Sequence, residues 1–206
     1  MKKTIFTIGR QYGSGGREIG KRLSQELGIP FYDRELLAEA AKDSSYSEKI
    51  LKNFDEQPSR SLLYSMVMGT GGSIGNPAMP ISMQAYLAQF RTIQKLAEEC
   101  ENGAVFIGRC SDYALRERDD VINIFIMADM DFRLERVHQY DDFPKDPKVK
   151  LEDMVSKVDK NRASYYSYYT EQKWGMAEHY NLCLDSSRIG IENCVKMIRE
   201  YAGYAR

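Results

Sequence analysis

The sequence predicts an α/β fold in which a parallel sheet is covered by helices on both faces. Three observations lead there. An apolar β-rich run over residues 4–8 passes directly into a glycine loop and then into a segment with Ile19, Leu23 and Leu27 at helical spacing. Later apolar runs, residues 104–107 and 121–127, are short and continuous, the pattern of strands buried on both faces. Helical patterns separate these runs, so successive strands are joined by crossovers and run parallel.

The elements follow in order. After the first strand and the glycine loop, the helix over residues 19–27 is stopped by Gly28-Ile29-Pro30. Residues 31–33, FYD, make a short second strand, and residues 35–42 a second helix. Residues 43–82 hold Met66, Met68, Gly69, Gly71, Gly72, Gly75, Pro77 and Pro80 and predict a mobile excursion. Helical periodicity returns over residues 83–100, and the strand at 104–107 ends at Gly108-Arg109. The next strand, VINIFIM, is followed by a charged amphipathic helix over 131–140 and a proline-broken connection, DDFPKDPKVK. Leu151, Met154, Val155 and Val158 mark one face of a helix that runs into tyrosine-rich residues 163–169. Residues 182–184 are the last strand and residues 189–201 the closing helix.

Composition narrows the partners. A chain of 206 residues suits one domain, and its net charge of −1 gives no general grip on nucleic acid or an anionic membrane. A small molecule is the expected partner. Four cysteines without a CxxC pair and only two histidines make a poor zinc site. The apolar run near the N-terminus is too short for a signal-peptide core and no segment suits a bilayer span, so a cytoplasmic protein with free thiols is expected.

In open parallel sheets ligands bind at the carboxyl ends of the strands. The candidates there are the loop at residues 9–17, Asp33, Arg109, Asp129 and Asp185. The loop reads IGRQYGSGGRE from Ile8 to Glu18. Glycines at 13, 15 and 16, with Ser14 between them, let several backbone N–H groups face inward, and the following helix adds its positive end, so the loop suits an anion. A dinucleotide fingerprint fails, because its third glycine falls on Glu18, although Asp33 lies about 20 residues past Gly13 where a ribose-binding acid would stand. The Walker pattern fits imperfectly. It puts Gly16 at the lysine, Arg17 at the serine or threonine that ligates magnesium, and Arg10 at the first glycine. Two arginines thus flank a loop without its ammonium, and arginine binds phosphate bidentately.

Together with FYD at 31–33, GRC at 108–110 and DKNR at 159–162, the loop makes the chain resemble the cytidylate kinase-like family over nearly its whole length. In that family a loop of this kind lacks the lysine, an ERAxRR-like helix corresponds to Phe132-Arg133-Leu134-Glu135-Arg136, and an LVLDS run to Leu182-Cys183-Leu184-Asp185-Ser186. Cys110 replaces the acid of the usual GRD, and Val155 stands where another lid arginine is expected. The resemblance implies a P-loop three-layer α/β/α fold of nucleoside monophosphate kinase type in a single domain, with an acceptor-binding insert over about 34–100 and a lid over about 133–175. It implies phosphoryl transfer from ATP, with Mg2+, to a nucleoside monophosphate, nominally CMP or dCMP. Two alternatives stay open: a kinase of the same fold acting on another small acceptor, and a nucleotide-binding module that no longer turns over.

Such transfer needs alignment and positive charge around the migrating group. Arg10 and Arg17 are expected at the donor phosphates, Arg109 at the acceptor phosphate, and Arg133, Arg136 and Arg162 from the lid. Asp33 is the candidate to hold magnesium or orient the acceptor; a helix N-cap is the other reading of it. Asp159 is read either as a contact to the acceptor base or as a surface acid. Tyr165, Tyr166, Tyr168 and Tyr169 beside Trp174 are read as packing in preference to base stacking.

Overall fold

The computed structural model describes residues 3–40, 80–140 and 150–204. Five strands, β1 (Thr4–Arg10), β2 (Phe31–Tyr32), β3 (Gly103–Ile107), β4 (Val121–Met127) and β5 (Leu182–Asp185), form one sheet in the order β2-β3-β1-β4-β5. Every pairing is parallel, and Phe6 at the centre of β1 stands beside Val105 of β3 and Ile122 of β4. The helices are α1 (Gly16–Leu27), α2 (Arg34–Ala40), α3 (Ile81–Glu99), α4 (Ser111–Ala114), α5 (Met130–Tyr140), α6 (Leu151–Thr170) and α7 (Ser186–Tyr204). A 3-10 turn, Ala177–His179, precedes β5.

The alternation of side chains along each strand creates two cores. Phe6, Ile8, Val105, Ile107, Ile122 and Ile124 face Ile19 and Leu23 of α1 and Val195 and Ile198 of α7. Ile5, Ala104 and Phe106 point the other way, onto Leu37 of α2, Ile93 and Ala97 of α3, and Leu115 just beyond α4. Both faces are therefore covered, which is why the strands read as unbroken apolar runs. Burial of each such large side chain contributes about 1.5–3 kcal/mol.

The predicted three-layer order stands, with local differences. Helix α1 begins at Gly16, three residues before its first apolar contact, because the glycine loop feeds directly into it. The short helix α4 carries too little apolar periodicity to be read from sequence. Helix α7 includes the residues after β5 but kinks at Gly190, where φ is 77° and ψ 161°. The excursion at 43–82 and the connection at 141–150 lie almost entirely outside the described residues. No helix among the described residues is long and apolar enough to cross a membrane.

Candidate active site

The centre of the sheet positions the loop. Strand β1 delivers Arg10 to the carboxyl edge, and α1 starts six residues later. Gly13 and Gly15 both have φ of 79°, the left-handed region that a side chain disfavours. At Gly13 the surroundings leave no space either, since a Cβ would lie 2.7 Å from the Arg133 carbonyl oxygen, whereas a Cβ on Gly15 would press on the end of the Ile191 side chain. Ser14 is fully buried; its Oγ donates to the Gln11 carbonyl at 2.8 Å, and its own carbonyl accepts from Ser186 Oγ at 2.6 Å. Gln11 ties the loop to β4 twice, donating its N–H to the Ile126 carbonyl at 3.0 Å and accepting the Ala128 N–H on Oε1 at 3.0 Å. Gly15, the N-cap of α1, supplies no side-chain cap, so no side chain of its own covers the positive end of the helix.

An ion pair between buried Arg133 and half-buried Asp159 grips the loop. Arg133, on α5, pairs with Asp159, on α6, while its Nε donates to the Tyr12 carbonyl at 2.7 Å. Asp159 Oδ1 accepts the Tyr12 N–H at 2.8 Å. Both peptide groups of Tyr12 are thus fixed by one pair, which joins α5 and α6 to the loop. Burial pushes the Asp159 carboxyl up, against the Tyr12 N–H and the charges of Arg133 and Arg162, which pull it down.

The loop borders a cleft of about 370 Å³ lined by Arg10, Arg17, Lys21, Arg136, Arg162 and Glu18, among others. Arg17 donates from Nε and Nη2 to Asp33 Oδ2, at 3.0 and 2.6 Å. Arg136 pairs with Glu18 at 2.6 Å. Burial alone would raise the Glu18 carboxyl, but Arg136 and Arg22 together hold it below the ordinary value. Arg162 Nη1 donates to the Arg10 carbonyl at 3.2 Å, and its guanidinium lies 5.5 Å from the Tyr12 ring centre. Gly16 explains the missing lysine in space: a Cβ there would meet Arg10 Cβ at 2.5 Å and Cγ at 3.0 Å. The side chain of Arg10 therefore starts where a side chain of residue 16 would start.

On the other side of Gly9 and Arg10 is a smaller recess, walled by Arg109, Asp112, Arg162, Tyr166, Trp174 and Tyr180. Arg10 and Arg162 belong to the walls of both spaces. Arg109 and Cys110 carry successive left-handed backbones, φ 61° and 53°, directly after β3. Two non-glycine residues in that region cost on the order of 1–2 kcal/mol each, strain of a kind that clusters at functional sites. Asp112 Oδ2 lies 2.7 Å from Tyr166 Oη, which is also 3.0 Å from Gln172 Oε1. The Tyr166 hydroxyl is the donor toward Asp112 Oδ2. Burial pushes the Asp112 carboxyl up, against the Tyr166 hydroxyl, whose hydrogen bond pulls it down.

With this geometry in place, comparison with known proteins assigns the fold its relatives. The profile of the cytidylate kinase-like family matches residues 5–188. The chain belongs to that family. A crystal structure of an uncharacterized protein from Eubacterium ventriosum is similar, with TM-score 0.72, 27% identity, and coverage of 98% of this chain and 99% of that one. Shikimate kinase from Bacteroides thetaiotaomicron shares the fold at TM-score 0.57 and 12% identity, covering 96% of this chain and 97% of that one. Shikimate kinase from Acinetobacter baumannii, solved with shikimate, gives 0.52 and 12%, over 97% and 92%. No curated protein matches this chain.

Against the expectations drawn from sequence, this cytidylate kinase-like site brings together Gly13, Ser14, Gly15, Gly16, Arg10, Arg17, Arg136 and Arg162 around one loop, and puts Arg109 in the adjoining recess. Arg133 and Asp159, read as lid and acceptor contacts, are engaged with each other and with the Tyr12 backbone. Asp33 does not suit the metal. Its Oδ2 is taken by Arg17 and its Oδ1 accepts the Glu35 N–H at 3.1 Å, the helix-capping contact of its alternative reading. Arg17 occupies the Walker position whose hydroxyl would ligate magnesium, and a guanidinium has no lone pair to offer. No group of three His, Cys, Asp or Glu among the described residues is arranged to hold a metal ion. Among the described residues, Asp33 and position 17 are therefore taken up by their own ion pair and cap.

The tyrosines pack. Tyr86 of α3 stacks on Tyr169 of α6 at 3.9 Å, with Tyr165 and Tyr168 edge-on to Tyr169, and Trp174 edge-on to Phe125. Sequence reasoning missed Gln11, Asp112 and Ser186. Gln11 and Ser186 lie inside quoted motifs that do not reveal their partners, and each matters through a contact made far along the chain, Ser186 across 172 residues. Asp112 had one signal, its place three residues after Arg109 behind a strand that ends at the ligand-binding edge.

Proposed function

We propose that this protein transfers the terminal phosphoryl group of ATP to a nucleoside monophosphate, nominally CMP or dCMP. The observation that carries the reading is that two arginines, Arg10 and Arg162, line both spaces. The larger cleft, at the glycine loop, takes the donor phosphates. The recess behind Gly9, with Arg109 in its wall, takes the acceptor phosphate. An oxygen of that phosphate attacks the terminal phosphorus of ATP, the bond from that phosphorus to the bridging oxygen breaks, and ADP leaves. Negative charge spreads over the equatorial oxygens during transfer, and cations held in place around them lower the barrier. Arg10 and Arg162, fixed through the strand end and α6, are the groups positioned to do so. Helix α6 acts as the lid element, because it carries Arg162 and is joined to the loop through Asp159.

The test is turnover of ATP against CMP, dCMP, UMP, AMP and shikimate, with products separated chromatographically. CDP or dCDP formation is the expected result. Transfer to shikimate alone would move the chain to the small-molecule kinases. ATP binding with no transfer to any acceptor would make it a binding module.

A further inference from the structure

Helix α3 carries polar groups that its own fold does not serve. Gln89 is 1% exposed, yet neither the nitrogen nor the oxygen of its amide has a hydrogen-bond partner among the described residues. Ser82 Oγ, likewise shielded from solvent, has none either. Ser82 and Gln89 stand two helical turns apart on one side of α3, so it is that side of the helix, and not one misplaced rotamer, that lacks a partner. Other polar side chains of the helix are satisfied within the fold: Thr92 Oγ1 donates to the Ala88 carbonyl at 2.8 Å and Gln94 Nε2 to the Ala114 carbonyl at 3.2 Å. A buried amide left unpaired is a standing cost to the fold, and it calls for a partner.

The place of Gln89 in the fold says which partner. Three residues separate α3 from β3, so the helix runs back along the strand. Ile93 and Ala97 in its later turns share a core with Ala104 and Phe106 of β3, whereas Tyr86 and Phe90 in its earlier turns pack with Cys110, just past the strand's end. Gln89, between Tyr86 and Phe90, is therefore at the carboxyl edge of the sheet, level with Cys110, the residue after Arg109. Arg109 lines the recess assigned above to the acceptor phosphate. An acceptor held there by its phosphate extends its remaining atoms over the same edge, which α3 borders.

We infer that Gln89 reads the base of the acceptor, its amide pairing with a donor and an acceptor that stand side by side on the edge of a pyrimidine ring. Cytosine offers its amine beside a ring nitrogen, uracil a ring N–H beside a carbonyl, and the amide serves either by turning over. This rests on the nucleotide reading proposed above, and the experiment separates the two. Calorimetry on the full chain measures binding of CMP, UMP, ATP and ribose 5-phosphate, which keeps sugar and phosphate but has no base. The wild type should bind the better of the two pyrimidine nucleotides at least about tenfold more tightly than ribose 5-phosphate. Gln89→Met should lower that nucleotide's affinity by about tenfold or more and leave ribose 5-phosphate and ATP within about threefold. It should also melt no lower than wild type, because the unpaired amide is gone. Gln89→Asn withdraws the amide by one carbon, should lose the same preference, and keeps the test sound where Gln89→Met does not fold. An unchanged preference for the nucleotide over ribose 5-phosphate in the folded variants overturns the inference and leaves the nucleotide reading standing, the amide then being served by buried water. A wild type that binds ribose 5-phosphate as tightly as either nucleotide overturns it as well. Binding of neither CMP nor UMP overturns the inference and the pyrimidine reading together.

Discussion

Replacing Gly16 with lysine writes the standard Walker residue into this loop, and the structure says that it will be rejected. The added Cβ would sit 2.5 Å from Arg10 Cβ and 3.0 Å from Arg10 Cγ, with Ile126 Cβ at 3.5 Å. Neither Arg10 atom is the tip of a flexible chain, so backbone must move. Overpacking of this kind costs about 1–3 kcal/mol, and replacing glycine in a helix returns about 0.5–1 kcal/mol. The net loss, roughly 0–2.5 kcal/mol, lowers Tm by up to about 10 °C in a chain of this size. The decisive measurement is a pair of double-mutant cycles by urea unfolding. Combined with Arg10→Gly, which removes both clashing atoms, Gly16→Lys should be rescued, with a coupling of about 1 kcal/mol or more. Combined with Arg10→Ala, which keeps Cβ, it should not. The protein carrying both Arg10→Gly and Gly16→Lys should also regain the ATP affinity that Arg10→Gly alone loses, since one cation has replaced the other. Equal cost of Gly16→Lys in all three backgrounds would refute the idea that residues 10 and 16 exchange the same space.

Three further outcomes are expected. Arg133→Met leaves Asp159 buried without its guanidinium and frees Tyr12, which should cost about 3–5 kcal/mol and lower Tm by roughly 6–20 °C, read by calorimetry; a drop under about 2 °C would deny the clamp. Burial raises the Asp112 carboxyl in the folded state above its unfolded value near 3.9, so the folded protein holds the proton more tightly and loses relative stability as pH rises through the folded pKa. The stability of Asp112→Asn minus that of wild type should therefore grow with pH from about 4 upward and flatten once the wild-type group ionises; a pH-independent difference would sink this. Arg162→Ala should slow transfer by about 10³ with a much smaller change in ATP affinity, since its guanidinium serves both spaces; an equal loss in both would make it a donor-binding residue only.

The sequence by itself determined the sheet and its loop. Strand runs such as VINIFIM and the GSGG turn are local signals: apolar continuity reports burial on both faces, and glycines report a backbone that side chains would block. The arginines at 10, 17, 109 and 162 were legible for the same reason, since each sits next to a strand end or within a short motif. What each charge does was decided only in three dimensions. Arg133 and Asp159 read as independent contacts until α5 and α6 meet over Tyr12, and Arg17 and Asp33 become one ion pair because β2 ends beside the start of α1. The same holds for Gly16. In sequence it is a lysine lost; in the fold it is the space that Arg10 needs, because a side chain's neighbours are set by packing between elements and not by distance along the chain.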